Sequence, residues 1–205
     1  MTIGNGFDVQ SVPLRKVPVY QGNELHFLCI ATVSLWHGLD RLLHGMSLYT
    51  GSKTLTLHIV GKGQLEYLRK LSIELGLRNQ VIFHEYATGE ELDGYFNRCH
   101  IGVGSLGIHR KGLLETSELK AREYCSRGFP YINAAIDRDY PADFPYRLMI
   151  APDESPINID DIISFAEAVL ADPDHPNKMR HYAEEHLDWS VKTKMLKGFL
   201  EELVD

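Results

Sequence analysis

The sequence predicts an α/β domain: a doubly wound, Rossmann-like parallel sheet with helices on both faces and a helical C-terminal segment. Near-continuous apolar runs of strand length recur at residues 25–33, 54–60, 81–83, 101–103 and 131–133, as strands buried on both faces require. Stretches with apolar residues at helical spacing separate them, and such alternation gives a parallel sheet joined by right-handed crossovers. Beyond residue 158 only helical patterns follow.

Residues 1–23 have no clear periodicity. Asn5-Gly6-Phe7-Asp8 reads as a turn, and Pro13 and Pro18 keep the chain extended, so this part is expected to be a linker or cover strand and residues 24–205 the domain itself. The run 25–33 is the first strand, and Trp36-His37-Gly38 leads into a helix from Leu39 to Met46. A second strand, 54–60, is followed by a turn at Gly61-Lys62-Gly63 and a helix over 64–75 that Gly76 closes. After the strand 81–83, Thr88-Gly89-Glu90-Glu91 has the pattern of a capping box, and its helix ends near Arg98.

The strand 101–103 precedes a loop carrying His109, Arg110 and Lys111. Thr116 or Ser117 is expected to cap the next helix, which Gly128 ends. Residues 131–133 form the strand after it and 147–150 a last, edge strand. A helix over 159–170 is broken by Asp172-Pro173-Asp174-His175-Pro176, and helices over 179–186 and 191–203 follow, the last capped by Ser190.

The 205 residues, 24% charged and 44% hydrophobic, describe an ordinary soluble globular chain. There is neither an apolar run of the roughly 20 residues a membrane span needs nor a basic-then-apolar N-terminus, and a cytoplasmic location is expected. A net charge of −7 argues against nucleic acid as a partner. Cys29, Cys99 and Cys125 read as reduced core residues, and the ten histidines show no metal-ligand spacing. No metal and no cofactor is expected. Asp137-Arg138-Asp139 matches a pattern able to hold a divalent ion, but two aspartates in a polar loop are common. The third glycine of a dinucleotide fingerprint beginning at Gly61 would fall at Glu66 and is absent, and no nucleophile elbow or P-loop occurs.

Residues 115–130 carry the chemistry. At helical spacing Thr116, Lys120, Glu123 and Arg127 share one face, while Ala121, Tyr124 and Cys125 share a face for the core. A helix N-terminus favours phosphate. Lys120 adds a point charge, Arg110 and Lys111 can close from the loop, and the carboxylates of Glu115 and Glu123 can accept the hydroxyls of a ribose or hexose. Phosphate plus sugar diol means a nucleotide or a sugar nucleotide. The plainer reading makes Glu118–Arg122 and Glu123–Arg127 the i,i+4 ion pairs of a solvated helix.

Four segments in this order resemble the C-terminal, donor-binding half of a GT-B-type glycosyltransferase, close to family 4 and to bacterial capsular or surface-polysaccharide transferases. Asn5-Gly6-Phe7-Asp8 resembles the segment that enters that half. Leu57 to Gly63 with Leu75-Gly76-Leu77 and residues 81–83 are similar to its second and third strands. Glu115 and Glu123, followed by Gly128 and Pro130, fit its Glu-x7-Glu and Gly-x-Pro signature, and Trp189-Ser190 precedes a closing helix.

The resemblance implies a retaining transferase taking a UDP-sugar or GDP-sugar without a metal. Glu115 would contact the transferred sugar, with Glu118 as an alternative, and Glu123 the ribose. Lys120 and the N–H groups around Thr116 and Ser117 would face the diphosphate. Thr32 and His37 stand where the family carries arginine and lysine, so Lys120 with Arg110 or Lys111 would supply the missing charge. The acceptor-binding half would lie in the same polypeptide or a separate partner, and could hold the protein at the inner membrane; this chain alone is expected to transfer poorly or not at all. Two other readings stand beside this one: a non-catalytic nucleotide-binding or interaction domain, and half of a sugar-nucleotide epimerase.

Overall fold

A computed structural model describes residues 2–203. Its strands are β1 (Glu24–Val33), β2 (Thr54–Gly63), β3 (Val81–His84), β4 (Ile101–Val103), β5 (Tyr131–Asn133) and β6 (Arg147–Met149). Its helices are α1 (Leu39–Leu48), α2 (Leu65–Glu74), α3 (Gly89–Phe96), α4 (Leu119–Ser126), α5 (Ile159–Leu170), α6 (His175–His186) and α7 (Trp189–Glu201). All six strands join one sheet in the order β3-β2-β1-β4-β5-β6, and every pair is parallel. This is the doubly wound α/β sheet that the sequence predicts, with β6 at an edge.

The apolar runs explain the layering. Phe27 and Cys29 of β1 join Leu42 and Leu43 of α1, Leu68 of α2 and Ile162 and Ala166 of α5 in one core. Leu28 and Val60 turn the other way, against Tyr95 and Phe96 of α3 and Ala121 and Tyr124 of α4. A third cluster joins Val9, Cys125 and Tyr140 to Met179 and Ala183 of α6. All three cysteines are buried and free. Among the described residues no helix is long and apolar enough to cross a membrane.

Several boundaries differ from expectation. Gly61-Lys62-Gly63 is the end of β2, paired with Ala31, Thr32 and Val33, and no turn. A Cβ on Gly61 would fall 2.1 Å from the carbonyl oxygen of Ala31, so the glycine admits a close strand approach. Thr88 makes no side-chain cap bond to α3. Thr116 and Ser117 do not cap α4, because Glu115 bridges Ile136 and the Thr116 N–H donates to the Ile136 carbonyl at 2.9 Å, which holds this stretch extended. The helix starts at Leu119 with Glu118 as its flanking residue.

Pro176, expected to break the chain, stands in the first turn of α6, where its missing N–H costs nothing. The cap of α7 is Asp188, whose carboxylate accepts from the Ser190 N–H at 2.8 Å, and not Ser190. In the leading segment, Phe7 bridges the chain at Asp188: its N–H donates to Leu187 and its carbonyl accepts from Trp189.

Candidate functional site at the sheet's switch point

The chain winds from β1 through β2 to β3 on one side and from β4 through β5 to β6 on the other, so the strand order reverses between β1 and β4. Ligands on such sheets bind at the C-terminal strand ends beside that reversal. Two loops meet there. Residues 34–38 follow β1, residues 104–118 follow β4, and the Leu106 and Gly107 N–H groups donate to the carbonyls of His37 and Trp36. The approach is close enough that a Cβ on Gly38, which sits at φ +61°, would lie 2.6 Å from the Gly107 nitrogen.

Into this crevice comes the first turn of α4, with no side-chain cap bond. The Lys120 Nζ is buried and has no hydrogen-bond partner among the described residues. Glu118 Oε2 accepts from the Ser105 N–H at 3.3 Å, whereas its Oε1 is buried without a partner. A buried ammonium and a half-satisfied carboxylate are costly unless something completes them.

His37 is no substitute for a lysine's charge. Its Nδ1 accepts from the Ser34 N–H at 3.0 Å, leaving Nε2–H as a neutral donor. Burial lowers its pKa to about 3, assisted by Lys120 and Lys111 and opposed by the Ser34 carbonyl 3.3 Å from the same Nδ1. Lys111 is exposed, with its Nζ 4.7 Å from the Trp36 ring centroid. Arg110 does not close over the crevice. It is clamped by Asp40 at 2.9 and 2.8 Å and by Glu154, and donates to the Leu35 carbonyl, so its charge is used within the protein.

The first acidic position lies on another wall. Glu115 is exposed and receives Arg138 through two bonds of 2.8 and 3.0 Å, which lowers its pKa. Thr116 and Ser117 line the same hollow of about 270 Å³ with Gly4 and Ile136. The backbone N–H of Asn5 donates to the Ser117 hydroxyl oxygen at 2.6 Å, and the Asn5 side chain to its carbonyl.

Glu123 accepts from Arg127 Nε through Oε1 alone, and Arg127 reaches on to Asp93 of α3 at 2.6 Å. The i,i+4 pairing thus holds for these two, but Arg127 is buried against the Phe96 ring and the helix face is not a solvated one. It fails for Glu118–Arg122, since Arg122 is wholly buried against Asp137 and Asp139. These two aspartates therefore serve a guanidinium and a lysine, Lys192, in place of an ion. No cluster of three or more potential metal ligands occurs among the described residues.

Sequence reasoning put Glu118 second to Glu115 and missed Ser105 and Arg138. Nothing local marks the last two.

Residues 13–108 match the family model described as glycosyl transferases group 1. No curated protein matches the chain in sequence. Among solved structures, the lipopolysaccharide outer core galactosyltransferase WaaB in its apo form is similar with a TM-score of 0.67 at 17% identity, over 97% of this chain and 54% of its own. Anabaena Alr3699/HepE, solved in complex with UDP, has a TM-score of 0.69 at 15% identity over 98% and 57%. Sucrose-phosphate synthase from Thermosynechococcus elongatus has 0.65 at 17% over 98% and 52%. The chain spans about half the length of these structures. At these identities the likeness is one of fold, that of a Rossmann-like GT-B half.

Proposed function

We propose that this chain, with the fold of one GT-B half and a match to the group 1 glycosyl transferases over residues 13–108, is the donor-binding half of a retaining glycosyltransferase. Its donor is a nucleotide-sugar, UDP- or GDP-linked, and its acceptor a bacterial surface polysaccharide or a lipid-linked precursor on the cytoplasmic side. The acceptor-binding half is supplied by the same polypeptide or by a partner, and the chain alone transfers poorly or not at all.

The observation that carries this reading is the unpartnered Lys120 ammonium at the N-terminal turn of α4, beside the switch point. A diphosphate satisfies it and the free N–H groups of that turn at once. As the sugar–phosphate bond breaks, negative charge grows on the departing diphosphate, and these preorganised donors, with the neutral Nε2–H of His37, stabilise it. Glu123 keeps Oε2 outside its bond to Arg127, which suits a ribose hydroxyl. Glu115, held by Arg138 on the wall of the hollow, retains lone pairs for hydroxyls of the transferred sugar. No metal or cofactor enters this scheme.

Calorimetric titration with UDP, GDP, ADP and CMP tests it, repeated with Lys120→Ala and Glu123→Ala. Saturable binding of one diphosphate, weakened in both variants, is the expected result; no binding in the presence of the acceptor half would overturn the reading. A second reading, a non-catalytic nucleotide-binding domain, is favoured by His37, whose burial denies this site a charge the family carries. Binding of the diphosphate without transfer by the reassembled two-half protein would select it.

A further inference from the structure

Three histidines on adjacent strands, outside the candidate site, touch in series. His26 of β1 and His58 of β2 stack with ring centroids 5.4 Å apart, and His58 and His84 of β3 at 5.3 Å. His26 Nδ1 lies 3.1 Å from His58 Nε2, and His58 Nδ1 lies 3.0 Å from His84 Nε2. At one end the Glu24 carboxylate is 3.3 Å from His26 Nε2. At the other, His84 packs on the ring of Tyr95.

Such a chain has a direction, because a neutral imidazole carries one N–H and one lone pair. With a carboxylate at the first end, one neutral arrangement satisfies every contact. His26 points Nε2–H at Glu24, His58 donates Nε2–H to His26 Nδ1, and His84 donates Nε2–H to His58 Nδ1. The open lone pair is then His84 Nδ1.

Charge is poorly tolerated in the middle and at the far end. His58 is lowered to about 4 by burial, then by His26, His84 and Arg98. His84 is lowered by burial and Arg98, with Glu91 opposing. The other groups facing the chain are Tyr95 from α3, and His100, whose Nδ1 accepts from the His26 N–H at 3.0 Å. His100 is itself lowered to about 4 by burial, His26 and Arg15, with Glu24 opposing, and packs on Tyr20. Among the described residues, only Glu24 lies within ion-pair distance of a chain nitrogen, and it adjoins His26.

We propose that His26, His58 and His84 form a proton relay that takes up one proton as a unit. The proton enters at His84 Nδ1, the His84 Nε2 proton passes to His58 Nδ1, the His58 Nε2 proton passes to His26 Nδ1, and the positive charge settles on His26 against Glu24. Three ring protons become four, and no heavy-atom bond forms or breaks. His58 and His84 end neutral with their tautomers reversed, from Nε2–H to Nδ1–H. The relay makes the sheet sense acidity by moving charge across three strands while no side chain moves, and it does not depend on the nucleotide reading.

Long-range 15N–1H NMR of the full chain labelled at histidine, from pH 8 to pH 5, tests it. In the wild type His58 and His84 are expected to exchange the Nε2–H pattern for the Nδ1–H pattern at one midpoint, shared with double protonation of His26. Glu24→Gln, at an exposed strand start, is expected to move that midpoint down by about one pH unit, a tenfold weaker proton affinity. His84→Leu removes the ring that passes a proton to His58 Nδ1 and is expected to hold His58 as Nε2–H throughout. Separate midpoints, a doubly protonated His58 or His84, or unchanged tautomers down to pH 5 would overturn the relay; the wild-type titration decides this even where a variant fails to fold.

Discussion

Arg122 and Asp137 form a bidentate ion pair in the interior: the guanidinium is fully buried, the aspartate nearly so, and Asp139 and the Asn5 carbonyl complete the arginine's partners. Through Lys192, which pairs with Asp139, the same network reaches α7. One buried cation thus ties the leading segment, α4, the loop after β5 and the last helix together.

Removing Arg122 leaves Asp137 charged and unpaired in a nearly dry site, with Asp139 held by Lys192 alone. Arg122→Met is expected to lower stability by about 3–5 kcal/mol, read as a fall in the urea midpoint. A loss under 1 kcal/mol would show that water reaches the aspartates in solution.

Lys120 is the opposite case, a buried ammonium without a partner. Lys120→Ala is expected to weaken diphosphate binding by about 1.5–3 kcal/mol, the range for a lost hydrogen bond to a charged group, and to leave the urea midpoint unchanged or higher. Chelating divalent ions with EDTA is expected to leave affinity unchanged. Full affinity in the lysine variant would move the diphosphate elsewhere.

Acid should destabilise the fold. His37 is lowered to about 3, and His100 and His175 to about 4, by burial first in each case. His175 is also pinned: its Nδ1 donates to the Asp172 carbonyl at 2.7 Å and its Nε2 accepts from buried Arg15 at 2.9 Å. In the unfolded chain such an imidazole takes its proton near pH 6.5. Between that value and the folded one the unfolded state binds more protons, so the stabilisation is complete above pH 6.5 and is lost towards pH 4. Urea midpoints are expected to fall steadily from pH 7 to pH 5, less steeply in His175→Gln. A flat profile would mean that these rings charge freely in the fold.

Gly38 tests whether the two loops must touch. Gly38→Ala adds a Cβ 2.6 Å from the Gly107 nitrogen at a left-handed backbone position. The expected result is a stability loss of about 1–3 kcal/mol together with weaker nucleotide binding; unchanged affinity would separate the loop contact from the site.

Much of the architecture is readable in local sequence. The apolar run of β1 forced burial on both faces wherever the strand went, and α5 falls where its periodicity sets it, at Ile159–Leu170. The errors cluster where a distant backbone intervened. The Glu115 to Ser117 stretch has the composition of a helix start, but pairing with Ile136 and Asn5 holds it extended. Gly61 and Gly63 look like a turn, yet Ala31 and Val33 lie across from them in the sheet.

The candidate site divides in the same way. From the sequence alone came the fold class and most strand and helix positions, because burial is encoded at spacings of two to four residues that any neighbour can satisfy. Only the tertiary structure decided which charges remain open. Arg110 is spent on Asp40 and Glu154, Glu115 meets Arg138, Arg122 sinks onto Asp137, and Lys120 is left without a partner. Ion pairing is a matter of a few ångströms between side chains distant along the chain, and that distance exists only once the order of the strands has been set.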